Sequence, residues 1–126
     1  MPSFPAARMT VRVVGLAVLI LGLVVWTGSA DGLVPVHMLL GIVLVLALWA
    51  VAVLALQAGS PPALPAIAIV WGVFVVRFGM TQAQILPNDS LHIVIRVAHL
   101  LVGLVAIGLA EALGAAATRT GERATR

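Results

Sequence analysis

The sequence predicts an all-α integral membrane protein, a four-helix transmembrane bundle of two hairpins with both termini in the cytoplasm. Three observations lead to this fold class. Of the 126 residues, 63% are hydrophobic and 9% are charged, which is far more apolar than an ordinary soluble domain. Four apolar runs follow one another along the chain, each near the roughly 20 residues that cross a bilayer. Arginines gather toward both ends of the chain, and an even number of spans leaves both ends on one side of the membrane.

The predicted helices cover residues 11–27, 34–56, 63–85 and 91–117. With short loops and tails they occupy the whole chain, so residues 1–126 form a single transmembrane domain without a separate soluble unit. Strands are excluded, because the open edges of a sheet would leave unpaired backbone groups in hydrocarbon.

The first apolar run follows Arg8 and Arg12 and ends in a loop of small residues that contains an aspartate. A basic start, a short apolar stretch and small residues after it are also typical of a secretory signal peptide. We expect the run to be retained as a helix, because Gly15 and Gly22 give it a surface suited to close helix packing.

The other three helices are separated by segments that break helical structure. Pro35 is tolerated in the first turn of the second helix, because the backbone amide that proline lacks would be unpaired there. Residues 57–62 contain glycine, serine and two prolines and end this helix. Pro87 and the polar residues after it form the turn from which the fourth helix returns across the membrane.

Charge along the chain predicts its orientation in a prokaryotic plasma membrane. The positive-inside rule places Arg8, Arg12 and the arginines at the other end of the chain in the cytoplasm. Asp31 and Asp89 then mark the two outer loops, and the uncharged loop 57–62 faces inward. Seven arginines against four acids give a formal net charge of +3. An excess this small, held largely near the termini, indicates topology and not binding to nucleic acid.

The chain has no cysteine, which excludes disulfides, thiolate metal sites and cysteine nucleophiles. Metal chemistry therefore has to come from histidine. Charged side chains within a membrane cost about 2.5–3.5 kcal/mol on insertion scales and are candidates for function. Glu111, near the inner end of the fourth helix, is expected to be an interfacial residue paired with Arg119. The remaining intramembrane candidates are His37, His92, His99, Arg77 and Arg96.

One face of the fourth helix collects polar side chains. At 100° per residue, His92, Arg96, His99 and Gly103 fall within about 60° of one another. This stripe belongs to the outer half of the predicted bundle.

A short repeated pattern, which we call the sequence echo, occurs on this face and on the second helix. Residues 36–41 read VHMLLG and residues 98–103 read AHLLVG. Each copy lies on the second helix of a hairpin, which indicates two hairpins related by a pseudo-two-fold axis along the membrane normal. His37 and His99 would then be equivalent in depth.

Two imidazoles from two helices, directed into a bundle core, are what a bis-histidine haem requires, because each ring gives one nitrogen to the iron from opposite faces. His37 and His99 are the best pair for this role. The glycines four residues after them, Gly41 and Gly103, would clear room where a porphyrin edge approaches the backbone.

Three further side chains are candidates for the surroundings of a haem. Arg96 and Arg77 could neutralise the propionates, for which a guanidinium fork is well suited. Alternatively, Arg96 reaches the outer interface and Arg77 pairs with an outer-loop acid such as Asp89. His92 lies about two turns nearer the surface than His99. There it could hydrogen-bond a propionate, replace His99 as iron ligand, or be a hydrated interfacial residue.

This pattern resembles the small b-type membrane cytochromes of bacteria, and equally a single four-helix half of the haem A synthase family. The resemblance covers all four helices in architecture and the two His-x-x-x-Gly segments in residues. It implies that His37 and His99 are axial ligands of a haem b. Di-haem cytochromes of this kind carry two ligand histidines toward each side, whereas the inner half here offers none, so one haem near the outer face is expected. Haem A synthases add an outer carboxylate, which Asp31 and Asp89 match poorly.

The functional prediction is a membrane cytochrome that transfers electrons, with a quinone or an external protein as redox partner and without bond-making chemistry of its own. The alternative is a haem-free structural or assembly subunit of a larger membrane complex, and a homodimer is a further expected assembly. A small exporter of cationic compounds is a third hypothesis. Such exporters rely on a glutamate in the first helix, and residues 11–27 contain no acid.

Overall fold

The structure, a computed structural model, describes residues 3–87 and 89–124. It consists of α1 (Ser3–Trp26), α2 (Val34–Gln57), α3 (Ala63–Thr81) and α4 (Asp89–Ala124), with short 3-10 turns at Asp31–Leu33 and Gln82–Gln84. All four helices are long and apolar enough to cross a membrane, and no strand occurs among the residues described. The predicted set of four membrane-spanning helices is confirmed, which indicates a multi-pass membrane protein.

Several predicted helix boundaries are wrong. α1 begins at Ser3 and not at residue 11, because its first turns pack onto α4 instead of forming a loose tail. α3 ends at Thr81, and its predicted last residues form a tighter 3-10 turn and a bend. α4 continues to Ala124 instead of ending at residue 117. The apolar run stops earlier, but its alanine-rich continuation still favours helix.

Glycines in the left-handed backbone region end two of the helices. Gly28, with φ of +74°, follows the end of α1, and Gly59, with φ of +82°, follows the end of α2. After α2, the Ser60 amide donates to the Ala55 carbonyl at 3.0 Å and the Gly59 amide to the Leu56 carbonyl at 2.9 Å. These two bonds form a Schellman cap, in which a residue with positive φ is required and glycine carries no Cβ penalty.

The four helices do not form a square. α2 and α4 contact each other through the middle of the bundle, and each also packs against α1 and α3. Among the described residues, α1 and α3 make no contact with one another. They therefore lie on opposite flanks of the central α2/α4 pair, an arrangement consistent with the two-hairpin repeat predicted from the sequence.

The two ends of the bundle differ in packing. We call the end where α2 and α4 begin the histidine end, and the opposite end, where α1 begins, the arginine end. The buried apolar cluster lies in the half toward the arginine end, and seven of its twelve members are alanines, which let backbones approach closely. The cluster consists of Val11, Leu44, Ala47, Leu48, Val51, Ala52, Ala55, Ala68, Ala106, Ala110, Leu113 and Ala117.

Two tryptophans tie neighbouring helices together within this half and near the middle of the bundle. The Trp49 indole donates to the Ile69 carbonyl at 3.2 Å and thereby joins α2 to α3. The Trp71 indole donates to the Val102 carbonyl at 3.1 Å and joins α3 to α4. Each indole N–H therefore finds its acceptor on an adjacent helix.

An ion-pair cluster closes the arginine end. Arg8 donates to Glu111 at 2.9 Å, and Arg12 donates to the two oxygens of the same carboxylate at 2.7 and 2.8 Å. The predicted pairing of Glu111 with Arg119 is therefore wrong. Glu111 lies on α4 and both of its partners lie on α1, so the cluster links the two helices. Gly114 makes this possible, because a Cβ at that position would collide with the Arg8 guanidinium.

Candidate functional site

The half of the bundle toward the histidine end contains a cavity of about 490 Å³. All four helices contribute to its wall, and most of the lining is apolar. It reaches from Gly15 and Ile107, near the buried cluster, to Asp31 and Arg96 near the end of the bundle. The bundle is thus closely packed in one half and open in the other, and the candidate histidines lie in the open half.

His37 and His99 lie against each other in this cavity. Their helices, α2 and α4, form the central pair, so side chains directed from both into the interior meet. The ring centroids are 6.1 Å apart, and the ring planes are inclined by 57°. Both residues are half-buried and both line the cavity. The structure therefore brings together the two histidines that the sequence echo predicts as a pair.

The polar atoms of this pair are incompletely satisfied. The Nδ1 atoms of His37 and His99 are buried and have no hydrogen-bond partner among the described residues. The backbone carbonyl of Val18 interacts with the His37 ring, but it does not give the Nδ1 atom a hydrogen bond. A buried polar nitrogen without a partner costs free energy in an apolar site. Such a pair is a candidate for binding a group whose metal is coordinated by imidazole nitrogens.

Glycines surround the imidazole pair in two ways. At Gly41 and Gly103, which both line the cavity, an added Cβ would meet nothing within 4 Å. The open space predicted beside these glycines is present. At Gly22 on α1, in contrast, an added Cβ would lie 3.0 Å from Cε1 of His37. Gly22 was predicted only as a helix-packing residue, and no feature of the sequence connects it with His37.

His92 also lines the cavity but lies apart from the imidazole pair. Its Nδ1 atom is 3.4 Å from the carbonyl oxygen of Ile85, which precedes α4. The ring packed against His37 is that of His99. Of the two readings left open by the sequence, the geometry therefore favours His99 as the partner of His37 and leaves His92 near the end of the bundle.

The two arginines differ in position. Arg96 is exposed overall, and it also lines the cavity. Arg77 is exposed and is not among the residues lining the cavity, so its role as a partner of the same ligand stays a prediction. It lies on a different face of α3 from Gly79, which does line the cavity. The Asp89 side chain, predicted as an alternative partner of Arg77, lies outside the part of the chain described.

An aromatic series leads from α3 to the imidazole pair, and the sequence analysis did not identify it. The Phe78 ring lies 6.0 Å from the His99 ring. Phe74 stacks on Phe78 at 5.6 Å with an interplanar angle of 7°, and Trp71 lies 5.3 Å from Phe74. The spacings of three and four residues place these rings on one side of a helix. That spacing is the signal from which the series could have been found.

No group of three or more histidine, cysteine or acidic side chains suited to a metal ion occurs within residues 3–87 and 89–124. The protein offers two imidazoles at one point, and they belong to helices that are adjacent in the bundle. Comparisons of the chain with family models, with curated proteins and with solved structures gave no match. Functional inference therefore rests on the geometry of this site.

Proposed function

We propose that this protein is a membrane b-type cytochrome that holds one haem between His37 and His99 and transfers electrons. The observation that carries the proposal is the imidazole pair, with ring centroids 6.1 Å apart in a cavity built by all four helices. A bare metal ion needs three or four protein ligands, whereas a haem supplies four nitrogens of its own and needs two from the protein. Two histidines are the donors present.

Two imidazoles whose centroids lie 6.1 Å apart could each give one nitrogen to the iron of a haem held between them. The two buried Nδ1 atoms without partners also support the proposal, because no bond within the described residues ties these nitrogens to another group. The residues present are therefore compatible with a haem.

When bound, the haem would supply reversible one-electron chemistry at its iron. The protein's contribution is to bind and orient it. The Gly41 and Gly103 positions leave open space beside the rings, where a flat macrocycle can approach the backbone. Arg96 lines the same cavity, and its guanidinium suits a propionate carboxylate. The half toward the arginine end contains no histidine, so a single haem is proposed.

The proposed setting is a prokaryotic plasma membrane with both termini in the cytoplasm, which follows from the arginines of α1 and of the end of α4 by the positive-inside rule. The histidine end then faces outward. Phe78 packs against His99, and exposed Phe74 continues the series toward the lipid-facing surface. A quinone or a protein partner arriving on that side would come close to the haem without entering the bundle. Electron exchange with such a partner needs no bond-making residue.

The test is optical spectroscopy of protein purified with haem supplied. The wild type should show the Soret and split visible bands of a low-spin, bis-histidine haem. His37→Ala and His99→Ala should each lose the low-spin spectrum, because each removes one axial ligand. His92→Ala is the matched control, since that histidine lines the same cavity but lies apart from the pair.

Two results would contradict the proposal. A wild type without any Soret band would exclude the haem, and co-purification with larger subunits would then favour a structural or assembly role. A low-spin spectrum that survives both single substitutions would show that the ligands lie elsewhere.

A further inference from the structure

We propose that Gly22 on α1 and Gly79 on α3 are positioning residues that hold the two imidazoles in their ligating orientation, one glycine for each ring. The expected effect on haem binding rests on the proposed function. The contacts between the glycines and the imidazoles rest on the structure alone. It concerns two positions on the flanking helices, which carry no ligand themselves.

The contact at Gly22 is close. A Cβ built on this residue would lie 3.0 Å from Cε1 of His37, 3.5 Å from Nδ1 and 3.8 Å from Nε2. The edge of the ring between its two nitrogens therefore faces the α1 backbone. A contact of 3.0 Å is tighter than nine in ten real Cβ contacts, so an alanine methyl would fit only if the ring moved by several tenths of an ångström.

The second contact has the same form. A Cβ on Gly79 would lie 3.4 Å from Cε1 of His99, at the edge of ordinary van der Waals contact. In each hairpin, the first helix thus presents a glycine to the histidine of the second helix. Because α1 and α3 lie on opposite flanks of the bundle and their backbones do not approach each other within the described residues, each flank acts on its own histidine.

Axial ligands are effective when their rings are held by surrounding groups, usually by a hydrogen bond to the second ring nitrogen. Here the Nδ1 atoms of His37 and His99 have no such partner within the described residues. Apart from the Val18 carbonyl, which interacts with the His37 ring, orientation must then come from packing. The flanking backbones at Gly22 and Gly79 face the edge of each ring between its nitrogens.

The experiment compares Gly22→Ala, Gly79→Ala and Gly108→Ala. Gly108 is the matched control, because it lies on a spanning helix and a Cβ there meets nothing within 4 Å. Alanine favours helix more than glycine does, so none of the three weakens its helix. Far-UV circular dichroism and gel filtration check that each variant folds.

The first readout uses protein without haem, labelled with ¹⁵N-histidine in lipid nanodiscs. Resonances are assigned with His37→Ala, His92→Ala and His99→Ala. Gly22→Ala should shift the ring signals of His37 more than those of His99. Gly79→Ala should do the reverse with a smaller shift, since its contact is looser, and Gly108→Ala should shift neither. If Gly22→Ala and Gly79→Ala both match the control spectrum, the proposal is wrong.

The second readout uses protein with haem. We expect Gly22→Ala to weaken haem binding by roughly 10- to 100-fold, the range known for residues that orient metal ligands, and to change the low-spin electron paramagnetic resonance spectrum. Unchanged affinity and spectrum in Gly22→Ala would also overturn the positioning role. A wild type that binds no haem refutes the cytochrome but leaves the first readout decisive for the contacts, so the two failures are distinguishable.

Discussion

Replacing Gly72 by alanine tests whether the packing of α2 on α3 depends on a single missing side chain. A Cβ at Gly72 would collide with Nε1 of Trp49 and lie 3.0 Å from Cγ1 of Val45. Val45 is 1% exposed, and its β-branched side chain has little rotamer freedom. The indole is rigid and is held by its hydrogen bond to the Ile69 carbonyl. A methyl group can therefore enter only by displacing Trp49.

The magnitude follows from three contributions. An interhelical hydrogen bond within a membrane is worth about 0.6 kcal/mol on average and about 1.7 at most. Overpacking a filled contact costs about 1–3 kcal/mol. The better helix propensity of alanine returns up to about 1 kcal/mol. We expect Gly72→Ala to destabilise the fold by a net 1–3 kcal/mol, to the accuracy that these principles allow.

The assay is reversible unfolding in mixed detergent micelles, followed by circular dichroism and tryptophan fluorescence. Gly108→Ala serves as the control, with an expected change between zero and a gain of about 1 kcal/mol. Trp49→Phe removes the atom that collides, so Gly72→Ala should cost less in that background. If Gly72→Ala is as stable as Gly108→Ala, or costs the same with and without Trp49, the reasoning about this contact is refuted.

Three further predictions concern stability. Leu48→Ala should destabilise the fold by about 2–4 kcal/mol through the cavity that it leaves. Leu46→Ala should cost little, because Leu48 is 0% and Leu46 55% exposed. Equal unfolding midpoints of the two variants would contradict the position of the buried cluster. Trp71→Phe should lower the free energy of unfolding by about 0.6–1.7 kcal/mol, because it removes the hydrogen bond to the Val102 carbonyl. Trp26→Phe serves for comparison, and equal stability of the two variants would refute this contribution. Glu111→Gln should lower the unfolding midpoint more than Arg119→Gln, since two arginines donate to that carboxylate. The difference should shrink at about 1 M salt, where the screening length falls to about 3 Å, and a salt-independent difference would argue against an ionic origin.

The four helices could be predicted from the sequence. A span must be a long apolar helix that pairs its own backbone groups in hydrocarbon, and hydropathy detects such segments directly. It failed at the start of α1 for a physical reason. The turn that carries Arg8 packs on α4, where Arg8 pairs with Glu111. That contact joins residues about a hundred positions apart along the chain, and no local pattern records it.

The site was predictable in part. The repeated His-x-x-x-Gly pattern predicted the pairing of His37 with His99, and the structure places the centroids of the two rings 6.1 Å apart. The direction in which Arg77 faces could not be predicted from the sequence. A polar residue near a helix end can face the interior or the lipid, and only the rotation of α3 in the bundle decides between them. Gly79 was missed because a glycine in an apolar helix has no feature that distinguishes a contact with His99 from general packing.

The length of α4 has a consequence for how the protein can be studied in a membrane. Its 36 residues correspond to about 54 Å at 1.5 Å per residue, against a hydrocarbon core of about 30 Å. Even a tilt of 40° leaves about 41 Å along the membrane normal. At least two turns must therefore stand in the headgroup layer or in water, and the polar end from Arg119 to Arg123 is the part suited to that position. A fluorophore or an epitope attached beyond Thr120 would report which face of the membrane α4 emerges from, at the opposite end of the bundle from the cavity.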